Sequence, residues 1–278
     1  MSKDEIRAIQ LKCLEILEIV DYICEKHDIK YSLCGGSVVG AYLYKKCLPW
    51  DDDIDLMMTR TNYNRFLKVA PGELPEKYSI HNYQMNDVYW SPFTKIVDNE
   101  TTLVQIDGTV SGVFLDITVY DKVPNDWKKN IDIVLWKVSQ IVSIGSIVPR
   151  NRKDILRNIL IKSVLRNERK YLKFFQWVVE KLGNARDYHY SELFGAYCNT
   201  KEYNKLIFEN YTEIEFENKN YMIVRDYINY LETRYDRKDF REPKERQIAP
   251  HYQFVDLNKS YKKYTNDKKA KEVDYGKG

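Results

Sequence analysis

Asp51, Asp52, Asp53 and Asp55 crowd four carboxylates into five positions, and the apolar segment Ile54–Met58 begins inside the run. An acidic run alone is most often a solvated loop. Here it leads into residues that read as a strand, where positions i and i+2 share a face. Asp53 and Asp55 then point the same way and repel each other unless a cation sits between them. An EF-hand loop also places acids at positions 1, 3 and 5, and Asp51, Asp53 and Asp55 match that spacing. Its obligatory glycine is Leu56 here and its closing glutamate is Asn62, so that reading fails.

Mg²⁺ suits such a pair, because it takes carboxylates together with substrate phosphate oxygens. Two such ions, about 3.5–4 Å apart, form the clamp of phosphoryl transfer. A third acid is expected on a neighbouring strand. Asp116 qualifies as the lone charge in Val113-Phe114-Leu115-Asp116-Ile117-Thr118-Val119. A carboxylate buried there without a partner is costly, and a metal supplies the partner.

Upstream, Gly35-Gly36-Ser37 reads as a turn between the short strand Tyr31–Cys34 and a helix over Val38–Tyr44. Glycines let the backbone approach a ligand, and a helix N-terminus offers N–H groups and a positive dipole end to phosphate. Strand, Gly-Gly-Ser, helix, Asp-x-Asp strand and a late Asp strand together make the plan of a nucleotidyltransferase fold.

The rest of the chain fills in around this plan. Residues 3–27 read as an amphipathic helix, with Ile6, Ile9, Cys13, Ile16, Val20 and Ile23 as its stripe and Ser2 with Glu5 as a capping box. Thr61–Ala70 reads as a helix ended by Pro71-Gly72, and Tyr78–Tyr83 and Phe93–Val97 as strands. From about residue 125 helices are expected over Trp127–Val148, Asp154–Leu182, Asp187–Asn199 and Arg225–Tyr235, with a hairpin over Glu213–Tyr221. The expected class is therefore α+β: a small mixed sheet flanked by helices, plus a mostly helical C-terminal part. The expected division is a catalytic core over 1–124, a helical acceptor or docking region over 125–256, and a disordered Lys-rich tail over 257–278.

The net charge of +3 is unevenly spread. Residues 150–181 carry ten Lys/Arg against three acids, and residues 259–278 carry seven Lys against three acids, which leaves −8 for the remainder. In the basic middle, Leu156, Leu160, Ile161, Val164 and Leu165 form an apolar side beside Arg157, Lys162, Arg166 and Arg169, a pattern suited to a membrane surface. No nucleic-acid motif accompanies it, and no nucleic acid is expected as partner. The first residues include Asp4 and Glu5 where a secretory signal carries positive charge. Ile131–Val148 contains Asp132 and Lys137, which argues against a span. Five cysteines without a C-x-x-C pair suit reduced thiols and no zinc site. These features place the chain in the cytoplasm, with peripheral contact at the inner face of a membrane through residues 150–181.

The stretch Tyr31–Ala41, followed by Leu48-Pro49-Trp50-Asp51-Asp52-Asp53-Ile54-Asp55-Leu56, closely resembles the LicD family, to which fukutin and fukutin-related protein are related. Arg60, Tyr63 and Phe66 resemble its Arg-x-x-Tyr-x-x-Phe segment, and Lys95-Ile96-Val97-Asp98 its Lys-Ile-x-Asp strand. Gly112–Ile117 resembles its Gly-x-x-x-Asp-Ile strand, and Asp239–Pro243 with Arg246 its closing segment. The resemblance covers about residues 28–122 and 213–251, and 125–212 matches nothing. The family's Tyr-Gly-Asp near the C-terminal helix stands here as Tyr235-Asp236-Arg237-Lys238-Asp239, without the glycine.

The resemblance implies a phosphotransferase that moves phosphocholine from CDP-choline to a hydroxyl of a surface glycan and releases CMP. It implies that Asp53, Asp55 and Asp116 hold Mg²⁺, that Gly35, Gly36 and Ser37 bind phosphate, and that Lys95 neutralises charge. Asp116 is also the candidate acceptor of the hydroxyl proton. Trp50, Tyr89 and Trp90 are candidates for an aromatic cage around choline. Without such a cage, CDP-glycerol or CDP-ribitol serves equally well as donor. The acceptor glycan is expected to be lipid-linked. The rival readings are a nucleotidyltransferase using an NTP, and an inactive module binding glycan or nucleic acid. His27 and His81 read as surface or strand positions, His189 has no evident partner, and His251 follows the closing segment.

Overall fold

The computed structural model describes residues 1–82, 94–106, 108–126, 153, 156, 159, 168–183, 186–194, 199–236 and 252–265. Helix α1 (Lys3–Lys26) opens with the expected capping box: Ser2 Oγ accepts the Glu5 N–H and Glu5 returns a bond to the Ser2 N–H. Every residue of its predicted stripe is buried, each contributing about 1.5–3 kcal/mol of hydrophobic stabilisation. This stripe lies against the central sheet, where the Cys13 thiol donates to the carbonyl of Phe114.

That sheet runs β1 (Ser32–Leu33), β2 (Asp55–Thr59), β7 (Phe114–Pro124), β4 (Thr94–Asp98), β3 (Tyr78–His81). Only the β2–β7 pairing is parallel; the others on this path are antiparallel. Helix α2 (Gly35–Tyr44) joins β1 to β2, and α3 (Arg60–Glu73) follows β2 directly. Both helices begin or end differently from the sequence reading. Gly35-Gly36-Ser37 forms the first turn of α2, because Gly35 adopts φ +53 and swings the chain into the helix straight from Cys34. Helix α3 continues past Pro71, whose missing N–H falls in the last turn.

A second sheet joins β5 (Thr102–Gln105), β6 (Val110–Ser111) and β12 (Tyr252–Asp256) in the order β12-β5-β6. Strands β10 (Tyr211–Phe216) and β11 (Lys219–Val224) form the predicted hairpin. Its two turn residues, Glu217 and Asn218, both have positive φ, as a tight two-residue connection between twisted strands requires.

The expectation of a mostly helical part after residue 125 is corrected among the described residues. Up to residue 256, residues 153, 156 and 159 are helical, and α4 (Glu168–Leu182), within the predicted Asp154–Leu182, a 3₁₀ helix at Lys205–Phe208 and α5 (Tyr227–Tyr235) stand beside five strands. The predicted helix at Asp187–Asn199 is instead strand β8 (Tyr188–Glu192), followed after a gap by β9 (Asn199–Tyr203). The reason lies in β7, which runs on to Pro124 and offers an edge on which Tyr188-His189-Tyr190-Ser191 pair antiparallel. His189, Tyr190, Ser191 and Glu192 are all buried there, and aromatic residues suit such a pleated, enclosed position. The predicted helix Trp127–Val148 lies outside the described residues.

The tail is also corrected in its first part. After β12, residues 257–265 run through a turn into the short helix α6 (Lys262–Thr265). Tyr261 anchors them: it is buried, its N–H donates to Thr101 O, and its hydroxyl reaches Asn99 Oδ1 and His81 Nε2. Residues 266–278 lie outside the description.

Candidate functional site

Strand register builds the site. Asp55 is the first residue of β2 and pairs in parallel register with Asp116 of β7; Asp116 in turn pairs with Lys95 of β4. Directly paired residues share a sheet face, so Asp55, Asp116 and Lys95 form one row across three strands. The Lys95 ammonium lies 2.7 and 2.9 Å from the two oxygens of Asp116 and 3.2 Å from the Phe114 ring centroid. Asp53 stands two residues before Asp55, just outside the strand.

Helix α2 is pinned to this row. Cys34 N–H donates to Asp55 O, and Asp55 N–H donates to Ser37 Oγ. Ser37 thus serves as a backbone acceptor, with its own hydroxyl proton left to donate. The Gly35 N–H, the first of the helix, donates to the Tyr230 hydroxyl. Gly36 has a steric reason to be glycine: a Cβ there would stand 2.2 Å from Asp51 Oδ2. The Asp51 carboxylate therefore lies against the helix start, a position that a positive dipole end favours.

The acids raise one another's proton affinity. Burial, then Asp116 and Asp51, push the Asp55 carboxyl up to about 7, while Arg234 and Lys95 pull it down. Asp53 is driven well above the usual carboxylate range by burial and then by Asp55, Asp51, Asp116 and Asp52. Asp116 is raised by burial against the opposing pull of Lys95. Tyr252 lies close enough to feel the same negative field.

Among the described residues no group of three His, Cys, Asp or Glu side chains is already drawn together as a metal-ligand set, and the Lys95 ammonium takes up both oxygens of Asp116. The donor chemistry nevertheless fits a hard divalent cation. Asp53, Asp55 and Asp116 are partly buried and shifted toward their neutral forms, and all three ionise together favourably only when more positive charge arrives than Lys95 and Arg234 supply.

Sequence reasoning missed the braces around the acidic loop. Gln10 is buried on α1 and donates to the carbonyls of Leu48 (2.9 Å) and Asp51 (2.7 Å), holding both ends of the turn. Glu217 accepts the Cys47 N–H and pairs with both Nη atoms of Arg7, tying the hairpin to the loop. Arg234 also escaped notice; its Nη1 donates to Glu192 Oε2 (3.0 Å) and Tyr120 OH (3.2 Å). A polar residue on an apolar helix face was a visible signal for Gln10, whereas Glu217 and Arg234 are long-range pairs without a local signature.

Other candidates resolve differently. Arg60 forms a two-point pair with Asp121 while Tyr63 and Phe66 are core, so that segment supports the sheet. Trp50 is partly buried against the core. Tyr89, Trp90, His251 and the segment 239–246 lie outside the described residues. His27 pairs with Glu73, and His189 Nδ1 bonds Asn125 Oδ1. The His81 ring, in register with Lys95, is pushed down to about 4 by burial and the nearby Lys262 and Lys95, which keeps it neutral near pH 7. On α4, Phe174 and Trp177 are 55% and 54% exposed, with stacked rings 6.1 Å apart. No helix among the described residues is long and apolar enough to cross a membrane.

Two comparisons bear on this site. Residues 28–137 match the family described as LicD/FKTN/FKRP, nucleotidyltransferase domain. The chain is also 30% identical, over 267 residues, to the lipopolysaccharide cholinephosphotransferase LicD of Haemophilus influenzae, covering 91% of this chain and 97% of that protein.

Proposed function

The chain belongs to the LicD family, and we propose on that premise that it transfers phosphocholine from CDP-choline to a hydroxyl of a surface glycan such as lipopolysaccharide. The observation that carries this reading is the Asp55–Asp116–Lys95 row, which lies within the matched segment and joins paired carboxylates to a cation. The acceptor oxygen attacks the phosphorus that bears choline, the bond from that phosphorus to the CMP oxygen breaks, and CMP leaves.

Asp53, Asp55 and Asp116 are the residues to hold Mg²⁺, which neutralises diphosphate charge when bound. Lys95 exchanges its ion pair with one Asp116 oxygen for one with the incoming phosphate, and the released Asp116 oxygen accepts the hydroxyl proton. The Ser37 hydroxyl and the Gly36 N–H steady a phosphate oxygen at the start of α2, where the Gly35 N–H is held by the Tyr230 hydroxyl. A lipid-linked acceptor is met at the basic, aromatic face of α4.

The test is to supply CDP-choline, CDP-glycerol or CDP-ribitol with Mg²⁺ and candidate glycans and to measure CMP. CMP release with CDP-choline, dependent on glycan and lost in Asp53→Ala and Asp55→Ala, supports the reading. Turnover of an NTP alone, or full activity in both variants, overturns it.

A further inference from the structure

The three arginine–carboxylate pairs described above differ in a way that singles one out. Arg60 gives Nε and Nη2 to the two oxygens of Asp121, and Arg7 gives both Nη atoms to Glu217. Both are fork-to-fork pairs, the geometry that satisfies a guanidinium and a carboxylate together. Arg234 instead meets Glu192 through Nη1 alone, and the same nitrogen reaches Tyr120 OH. Its Nε and Nη2 turn toward the start of α2. A methyl group placed on Gly35 would lie 3.6 and 3.7 Å from them, and 3.5 Å from Asp55 Oδ2. The guanidinium and the Asp55 carboxylate thus flank one small space above a glycine.

The surroundings hold that geometry. The Arg234 side chain is only 20% exposed and Glu192 6%. Tyr120 and Tyr230 are fully buried beneath it, and Tyr235 adds a hydrogen bond from the same helix. The positive field reaches the acids, since Arg234 draws down the Asp55 carboxyl and the Cys34 thiol. Lys95 stands beyond Asp116 on β4, whereas Arg234 stands beyond Asp55 on the β1 side. The two cations therefore stand on opposite sides of the acid row, an order suited to a ligand that carries more than one phosphate.

We propose that Arg234 binds the diphosphate of the nucleotide donor through its Nε–Nη2 edge, with Glu192 and Tyr120 as the residues that position it. This assignment rests on the phosphotransferase reading above, and its test is chosen to separate the two. Binding of CDP and of cytidine to the full chain is measured by calorimetry in Mg²⁺. Arg234→Gln is expected to weaken CDP binding roughly 10- to 100-fold, the worth of a charged hydrogen-bonding contact, while cytidine binding stays unchanged. Arg234→Lys keeps the charge but loses the fork, and is expected to fall between. Where Arg234→Gln unfolds because Glu192 is stranded, the Arg234→Gln, Glu192→Gln double variant removes both charges and gives the same readout. A folded variant that binds CDP within twofold of wild type overturns the assignment. Wild-type protein that binds CDP through Arg234 but transfers no phosphocholine sinks the reaction proposed above and leaves this assignment standing; wild-type protein that binds no CDP sinks both.

Discussion

Lys95 and Asp116 are cross-strand partners whose side chains close a two-oxygen ion pair of 2.7 and 2.9 Å, with both groups mostly shielded from water at 14% and 16% exposure. Removing one partner of such a pair leaves an uncompensated charge, at a cost of about 3–5 kcal/mol. Lys95→Met should therefore lower stability at pH 8 by an amount of that order, and by less at pH 5, where Asp116 can take up a proton. Denaturant titrations at the two pH values check this. Equal losses at both would show that Lys95 acts through packing on Phe114 alone.

The acid cluster gives a second prediction, of opposite sense to ordinary acid denaturation. Asp55 has a carboxyl pushed up to about 7 in the fold from an ordinary value of 3.8, so folding favours its neutral form. The stabilisation is fully present below about 4 and is lost as pH rises through about 7. Asp53 and Asp116 shift in the same direction. Metal-free protein should thus melt at a lower temperature at pH 8 than at pH 5.5, and millimolar Mg²⁺ should raise Tm more at pH 8. Asp55→Asn should raise the metal-free Tm at pH 8 and abolish most of the Mg²⁺ response. With a shift of about 2–4 °C per kcal/mol for a chain of this size, scanning calorimetry resolves the effect. A Mg²⁺ response of the same size in Asp55→Asn would remove Asp55 from the metal assignment.

Periodicity and local residue type made much of this legible. The α1 stripe, the Asp53–Asp55 spacing, the isolated Asp116 and the hairpin over Glu213–Tyr221 all read directly from neighbouring residues, although the turn itself is the tighter pair Glu217-Asn218. What stayed hidden depends on distant partners. Tyr188–Glu192 becomes a strand because β7 extends to Pro124 to receive it, and nothing within 188–192 announces that edge. Tyr261, the residue that orders the segment after β12, sits in a Lys-rich stretch whose composition pointed to disorder. Gln10, Glu217 and Arg234 act across 38 to 210 residues, separations at which no sequence spacing carries a signal.

Three glycine variants test how tightly the acidic loop is packed. A Cβ at Gly36 would stand 2.2 Å from Asp51 Oδ2, whereas one at Gly72 would meet nothing within 4 Å. Gly36→Ala should push the Asp51 carboxylate off the helix start and cut turnover at least about tenfold, a barrier change near 1.4 kcal/mol, with the fold retained. Gly72→Ala should leave turnover intact. Gly40→Ala meets the Lys46 carbonyl at 2.4 Å instead; a backbone atom cannot swing aside, so that variant should lose about 1–3 kcal/mol of stability. Steady-state rates and melting curves on the three variants separate these outcomes. Unchanged turnover in Gly36→Ala would mean the Asp51 position does not matter to the reaction.

The exposed pair Phe174 and Trp177 makes the acceptor side testable. Two stacked aromatic rings, each more than half exposed, stand on a helix that also exposes Lys170, Lys173 and Lys181. Rings that enter the interface beside cations that meet anionic headgroups are what peripheral binding needs. Full-length protein should float with vesicles containing anionic phospholipid and stay behind with neutral ones, and the binding should weaken as salt rises. Phe174→Ser with Trp177→Ser should weaken flotation by about tenfold or more, since burying one such side chain is worth about 1.5–3 kcal/mol. CMP release on a soluble glycan should be unaffected, because α4 packs through Val179 against Val123, near the far end of β7 from Asp116. Flotation that is indifferent to lipid charge, or equal in the double variant, would exclude α4 as the docking face and leave the acceptor to approach from another side of the sheet.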